Sequence, residues 1–489
     1  MAMSEAKQND RVSPVFKQLL AVSGVVLYMI GSGANIAFPG VLLQQLREPG
    51  AAFHLTPDHE SWIASILGLA LILGIVTAPL GLQRLGRRLT NQLSCLPALA
   101  GWALLFCAKG PAALFVGRSL QGFGMGIQAA CAPVSIAEYS APKHRGAFLA
   151  TIAFSFATGM LIAHVFGTIM YWRSAAVACG SFYAVSLLLV SLIPETPPYL
   201  ASKGLNEECR RSFRWLRGND LGAQKELEVL LNSQKQNKVV TPKVSRWVTY
   251  IRIAKKPEFY KPTLIMMFMF VLFQVSGMTV IPSYSAPIMK EITGNTIDSY
   301  TSMLMVDIVR FLTAVIACVV VNKLYRRTVL FIGITITVIS LLLTALLLYL
   351  RDKSYISEKY KWTPTIPMLF YMFGKTLGIL PIPWAIAGEI FPLAYRSLGS
   401  GISGMFLSTM FFVVVKTAPG CFNAFGVNGT FCIYSLLVMV CGVFLYYLLP
   451  ETKGKTLYEI ECHFRGIPEI KNDSCEQDTM LNLEVVTGR

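Results

Sequence analysis

Asp307 and Arg310 lie three residues apart in an apolar run from 299 to 321, and Lys375 lies in another from 363 to 388. Charges set in hydrocarbon are costly, so they face one another or a polar interior. At a spacing of three, Asp307 and Arg310 share one helical face. The chemistry open to this trio is an internal ion pair, Asp307 with Arg310 or with Lys375, or contact with a charged solute or a proton. Lys416 sits near the end of a further run. No catalytic constellation, metal spacing or cofactor loop accompanies these charges, so neither an enzyme nor a cofactor is expected. Glycines 117, 122, 124 and 126 stand in an apolar run with no strand before them, which points to close helix packing rather than a phosphate loop.

A second set of charges occurs twice. Arg87 and Arg88 in Leu85-Gly86-Arg87-Arg88 match Arg326 and Arg327 in Leu324-Tyr325-Arg326-Arg327. Glu138 precedes Arg145 by seven residues, as Glu389 precedes Arg396. Glu195 in Pro194-Glu195-Thr196 matches Glu451 in Pro450-Glu451-Thr452. Carboxylate–guanidinium pairs are the strong, directional ion pairs of proteins. Repeated in order, they predict a latch at the helix ends of two related halves, with Arg87, Arg88, Glu138, Arg145, Glu195, Arg326, Arg327, Glu389, Arg396 and Glu451 as gating residues.

The elements that must position these charges follow from composition. The chain has 489 residues, 54% hydrophobic and 14% charged. Cores of ordinary size cannot bury that much apolar surface, but lipid can. A span needs about 20 apolar residues. Runs of that kind fall at 19–43, 61–82, 91–108, 112–136, 147–170 and 175–193, then at 262–287, 299–321, 328–350, 363–388, 399–420 and 426–449. The expected fold is an all-α membrane protein of twelve transmembrane helices in two pseudo-symmetric six-helix bundles. Its parts are an N-terminal segment 1–18, a first bundle 19–193, a linker with amphipathic helices 194–261, a second bundle 262–449 and a tail 450–489.

Lys and Arg crowd the loops that carry Arg87, Lys143, Arg145, Arg326, Arg396 and Lys453, so this face and both termini are expected in the cytosol. The net charge of +16 is spread over short loops that meet lipid headgroups, not a nucleic-acid surface. In the linker, Cys209, Phe213 and Leu216 recur at helical spacing, which predicts a helix lying on the inner membrane face. The eleven cysteines read as packing thiols, with Cys421 and Cys432 the one pair placed to bond. The sequons are Asn428, in a short outer turn, and Asn472, in the tail. Oligomeric state is not legible; a monomer is the default.

Six motifs then carry a resemblance. They are Gly117-Arg118-Ser119-Leu120-Gln121-Gly122; Pro133 with Glu138, Arg145 and Gly146; Pro194-Glu195-Thr196-Pro197; Gln274-Val275-Ser276-Gly277; Pro381-Ile382-Pro383-Trp384 with Glu389; and the stretch from Pro450 to Leu457. As a set, over residues 20 to 460, they resemble the sugar porter branch of the major facilitator superfamily, and within it the insect facilitated trehalose transporters. The resemblance implies facilitative transport of a sugar such as trehalose or a hexose by alternating access. The first span holds no Asp or Glu between Leu19 and Leu43, where the proton-coupled members usually carry an acid. The sugar site departs from the family pattern. Phe273, Thr279, Ala153 and Leu407 stand where amide side chains are usual, and Gln83 and Asn322 where acids are usual. Gln274, Trp384, Thr279, Tyr284, Gln128 and Thr376 are the candidate solute contacts, and Asn35 and His164 further candidates for the wall. The loss of amides, which donate and accept at once, leaves a second reading: a carrier of the same fold for an amphipathic or charged solute.

Overall fold

The computed structural model describes residues 13–237, 254–392, 396–453 and 457–465. The expected tail beyond 465, with Asn472, and part of the linker lie outside them. Among the described residues, ten helical segments are long and apolar enough to cross a membrane. One of them runs from Leu398 to Leu448, and Gly426 (φ 68°, ψ 176°) breaks it into two passes. The helix Pro111–Tyr139 has spanning length and carries the buried Arg118, giving twelve passes in all.

The first six spans are Pro14–Leu46, Pro57–Arg84, Gly86–Phe106, Pro111–Tyr139, Pro142–Ile169 and Trp172–Leu192. Four of them open on a proline at the first helical turn, where its missing N–H costs nothing. The third and fourth spans pack closely through glycines. A Cβ on Gly124 would lie 2.7 Å from the Ser94 carbonyl oxygen, and one on Gly117 2.9 Å from that of Gly101. These glycines are packing surfaces between helices.

In the second half, the seventh span is broken into Pro257–Val275, Val280–Ser283 and Ser285–Thr293, with Gly277 at φ 74°. The eighth and ninth are Ser299–Lys323 and Arg326–Asp352. The tenth joins Thr365–Gly374 to Pro381–Glu389 through a π-helical turn, Lys375–Ile379. The eleventh and twelfth divide the helix Arg396–Leu448.

The linker helices Pro197–Lys203, Asn206–Arg217 and Leu221–Asn237 correct one expectation. Cys209 and Phe213 do not lie against a membrane surface. They are buried on Leu200, Ala201, Ala223 and Leu227 in a small protein core. Gln18 donates to the Leu216 carbonyl at 3.1 Å and Arg217 donates to that of Ser140, fastening this helix to the first bundle. An amphipathic face reads alike whether lipid or a neighbouring helix covers it. Cys421 and Cys432 are both free thiols.

Candidate functional site

The two bundles meet unevenly. Away from the basic loops, they are pressed together. A Cβ on Gly40 of the first span would lie 2.6 Å from both the Pro282 carbonyl and Ser285 Oγ of the seventh. Ser283 donates to the Ile36 carbonyl at 3.1 Å. Lys416 binds Asp58 at 2.8 Å and Ser61 at 2.7 Å, with its ammonium 4.4 Å from the Trp62 ring centroid. At the basic face, the ion pairs Arg87–Glu138 and Arg326–Glu389 each stay within one bundle, and side chains at Gly146, Gly388 and Gly401 would meet nothing within 4 Å. The seam is held shut on the far face and unlatched on the basic one.

The repeated charges build two matching networks at this unlatched face. Arg87 pairs with Glu138 at 2.7 Å, and Arg326 with Glu389 at 2.9 Å. Thr196 donates to Glu138 at 2.6 Å, and Thr452 to Glu389 at 2.7 Å. Glu195 accepts the backbone N–H groups of Arg87 and Arg88, both at 3.0 Å. Glu451 accepts those of Arg326 and Arg327 at 3.1 and 3.0 Å. Each carboxylate thus caps the start of a span, where N–H groups have no helical partner. Burial raises the Glu195 carboxyl, opposed by the N–H donors of Thr196, Arg87 and Arg88. Every pair lies within one bundle. Arg145 donates to the Ala137 carbonyl at 3.2 Å, and Arg396 leaves its buried Nε without a partner. Glu195→Ala is expected to destabilise the folded chain by about 1–3 kcal/mol, because three N–H groups lose their acceptor. Glu195→Gln, which keeps one acceptor, loses less. Thermal melting of the purified protein in detergent checks the order.

Deeper in the seam, Phe273, Met278 and Leu380 form one buried apolar cluster, with Ala153 and Leu407 packed against it. Trp384, half-buried, stands beside it, its ring 5.9 Å from Phe270 and 6.4 Å from Phe273. Three positions that depart from the family pattern, far apart in sequence, therefore meet in space. Gln274 and Thr279 bond to each other at 2.8 Å beside the break in the seventh span. Thr376 lies in the π-helical turn, fully buried, with its hydroxyl unpartnered.

Other candidates fall elsewhere. Gln128 is buried inside the first bundle, bonded to Asn91 and Ser94, and does not reach the seam. Asn35 is likewise internal, donating to the Tyr183 hydroxyl at 2.7 Å. Tyr284 donates to the Val415 carbonyl at 3.3 Å in the closed far half. Asn428 folds onto its own turn through Gly429 N–H, and Thr430 of its sequon is buried. Asp307 pairs with Arg310 at 2.6 Å and, across the seam, with His164 of the fifth span. Lys375 is not the partner of Asp307. It donates to the Gly277 carbonyl at 3.3 Å and the Tyr371 hydroxyl at 3.0 Å, while Tyr371 donates to the Ser276 carbonyl. Lys375 and Tyr371 thus satisfy backbone oxygens that the broken span sets free.

Two six-helix bundles around a seam shut on one face and unlatched on the other define a membrane transporter that works by alternating access. The profile of the family described as Sugar (and other) transporter matches residues 19–464, and the chain belongs to that family. A facilitated trehalose transporter of Apis mellifera ligustica is 31% identical, over 92% of this chain and 88% of its own length. One of Aedes aegypti is 30% identical over 93% of this chain, which spans 56% of that protein. Among solved structures, the inward open conformation of the xylose transporter XylE from E. coli matches with a TM-score of 0.72 at 18% identity, covering 92% of this chain and 100% of that one. The proton:xylose symporter XylE bound to 6-bromo-6-deoxy-D-glucose matches at 0.69 and 20% identity, covering 92% and 99%. Members of this family move solutes and are not enzymes.

Proposed function

We propose that the chain carries a sugar passively across the cell membrane by alternating access, with trehalose or a hexose as cargo and both termini in the cytosol. The observation that carries this reading is the pair of matching charge networks flanking a seam unlatched at the same face. When that face closes, Arg145 and Arg396 come within reach of the carboxylates of the opposite bundle, and the networks become a latch. The relatives from Apis and Aedes are facilitated trehalose transporters. Asn35 in the first span, held by Tyr183, offers no carboxylate to carry a proton. Trp384 supplies a flat apolar surface on which a sugar ring can stack.

The apolar wall of Phe273, Met278, Leu380, Ala153 and Leu407 favours a second reading, an amphipathic solute with few hydroxyls to satisfy. Uptake of labelled trehalose and glucose into cells displaying the protein separates the two. The sugar reading predicts saturable entry that stops at the outside concentration whatever the pH gradient, and that falls at least about tenfold in Trp384→Ala, as expected for a lost stacking contact of more than about 1.4 kcal/mol. No uptake of either sugar, with the protein present at the surface, favours the amphipathic solute.

A further inference from the structure

The seam holds a buried charge cluster that ties the bundles together. His164 Nδ1 of the fifth span meets one Asp307 oxygen, and Arg310 binds the other at 2.6 Å. His164 is 1% exposed and Asp307 1%. Both lie in the half of the seam away from the basic loops, the half that must part when the carrier opens on its far face.

We propose that His164 and Asp307 form a proton-binding site that fastens the two bundles on the far face, so that a bound proton favours the state seen here. A carboxylate only accepts, so Nδ1 donates and Nε2 is the atom that gains or loses the proton. Nε2 lies 3.4 Å from Ser285 Oγ, and that oxygen lies 3.0 Å from Met303 Sδ. With the ring neutral, the serine hydroxyl donates to Nε2. With the ring protonated, Nε2 donates to the oxygen and the hydroxyl turns to the thioether. Both forms are therefore satisfied by a hydroxyl rotation alone.

The surrounding charges oppose one another. Asp307 favours the added proton. Arg310 on the same span resists it. The tenth span brings Lys375, bonded to the Gly277 carbonyl and the Tyr371 hydroxyl, while the seventh brings Ser285 and the first Gly40. With the ring protonated, an imidazolium–carboxylate attraction crosses the seam in low dielectric; when the proton leaves at higher pH, the attraction is lost. Parting the bundles removes Asp307 and lowers the ring's hold on its proton, so proton binding and closure of the far face reinforce each other. The proton enters and leaves through the far face, and therefore sets the balance of states rather than driving uptake.

This inference rests on the alternating-access reading but not on the identity of the cargo, and its test uses no solute. Hydrogen–deuterium exchange of the full chain in lipid nanodiscs is followed from acid to alkaline pH, with times corrected for the chemical rate of exchange. Peptides from the far ends of the fifth, seventh and eighth spans are expected to exchange roughly fivefold faster at the alkaline end of the sweep than at the acid end. His164→Gln is expected to abolish this difference, as is the charge-free pair Asp307→Leu with Arg310→Met if the single variant does not fold. Constant protection in the wild type overturns the proposal, and so does an unchanged profile in either variant. The expected profile alongside absent sugar uptake leaves this inference standing and removes the sugar reading.

Discussion

Gly40→Trp is expected to cripple transport while leaving the protein folded. In the state described, a Cβ at this position already lies 2.6 Å from the Pro282 carbonyl and from Ser285 Oγ of the opposite bundle. An indole there forces the far halves apart and holds the carrier open on that side. Uptake is expected to fall by more than about tenfold, which requires a bias of only about 1.4 kcal/mol between the two states. Solute binding from the far face is expected to persist, since the cleft opens to it. Gly420→Trp serves as the control, because a side chain there meets open space. Parallel measurement of binding and uptake checks the prediction. Normal uptake by Gly40→Trp would mean that this contact takes no part in the working cycle.

Asp307→Ala is expected to be the most damaging single change to stability. It leaves Arg310, 1% exposed, as an unpaired cation in a dry interior and strips His164 of its acceptor. Breaking a buried pair by removing one partner costs about 3–5 kcal/mol, whereas replacing both by apolar groups of similar volume is often neutral or better. Asp307→Leu combined with Arg310→Met is therefore expected to regain most of the melting temperature that Asp307→Ala loses. Fluorescence-detected size exclusion after heating checks the order. If the double variant is as unstable as the single one, the loss arises from packing rather than from an orphaned charge.

The pairing of Asp307 with Arg310 was legible because a spacing of three puts both on one helical face. Its third member was not. His164 stands 143 residues away on the other bundle, and no local pattern records which faces two bundles press together. The break at Ser276 and Gly277 falls inside the motif Gln274-Val275-Ser276-Gly277, where a small pair lets the helix open and Gly277 adopts a positive φ. The π-helical turn at Lys375–Ile379 was not legible, because one extra residue in a turn leaves composition and hydropathy unchanged. Lys375 therefore stands in the sequence as an alternative partner of Asp307, when its work is to satisfy a carbonyl freed by the break.

The doubled Glu and Arg motifs showed two related halves before any coordinates. They did not show that Glu195 and Glu451 hold backbone N–H groups at the starts of spans, a role for which a carboxylate needs only reach. Gln128 was misplaced because a polar residue in a span bonds inside its own bundle as readily as it faces a cavity. The departures at Phe273, Ala153 and Leu407 were visible one by one, but only the fold gathers them into a single apolar wall.

Counterflow in liposomes tests the central claim most directly. Vesicles carrying the purified protein are loaded with unlabelled trehalose and diluted into buffer of the same pH with a trace of labelled trehalose. A passive carrier that alternates between faces is predicted to accumulate the label transiently above its equilibrium level, with Gly40→Trp showing no overshoot. If the label never exceeds equilibrium, for trehalose or a hexose, while the protein remains folded, the chain is not a sugar carrier of this kind.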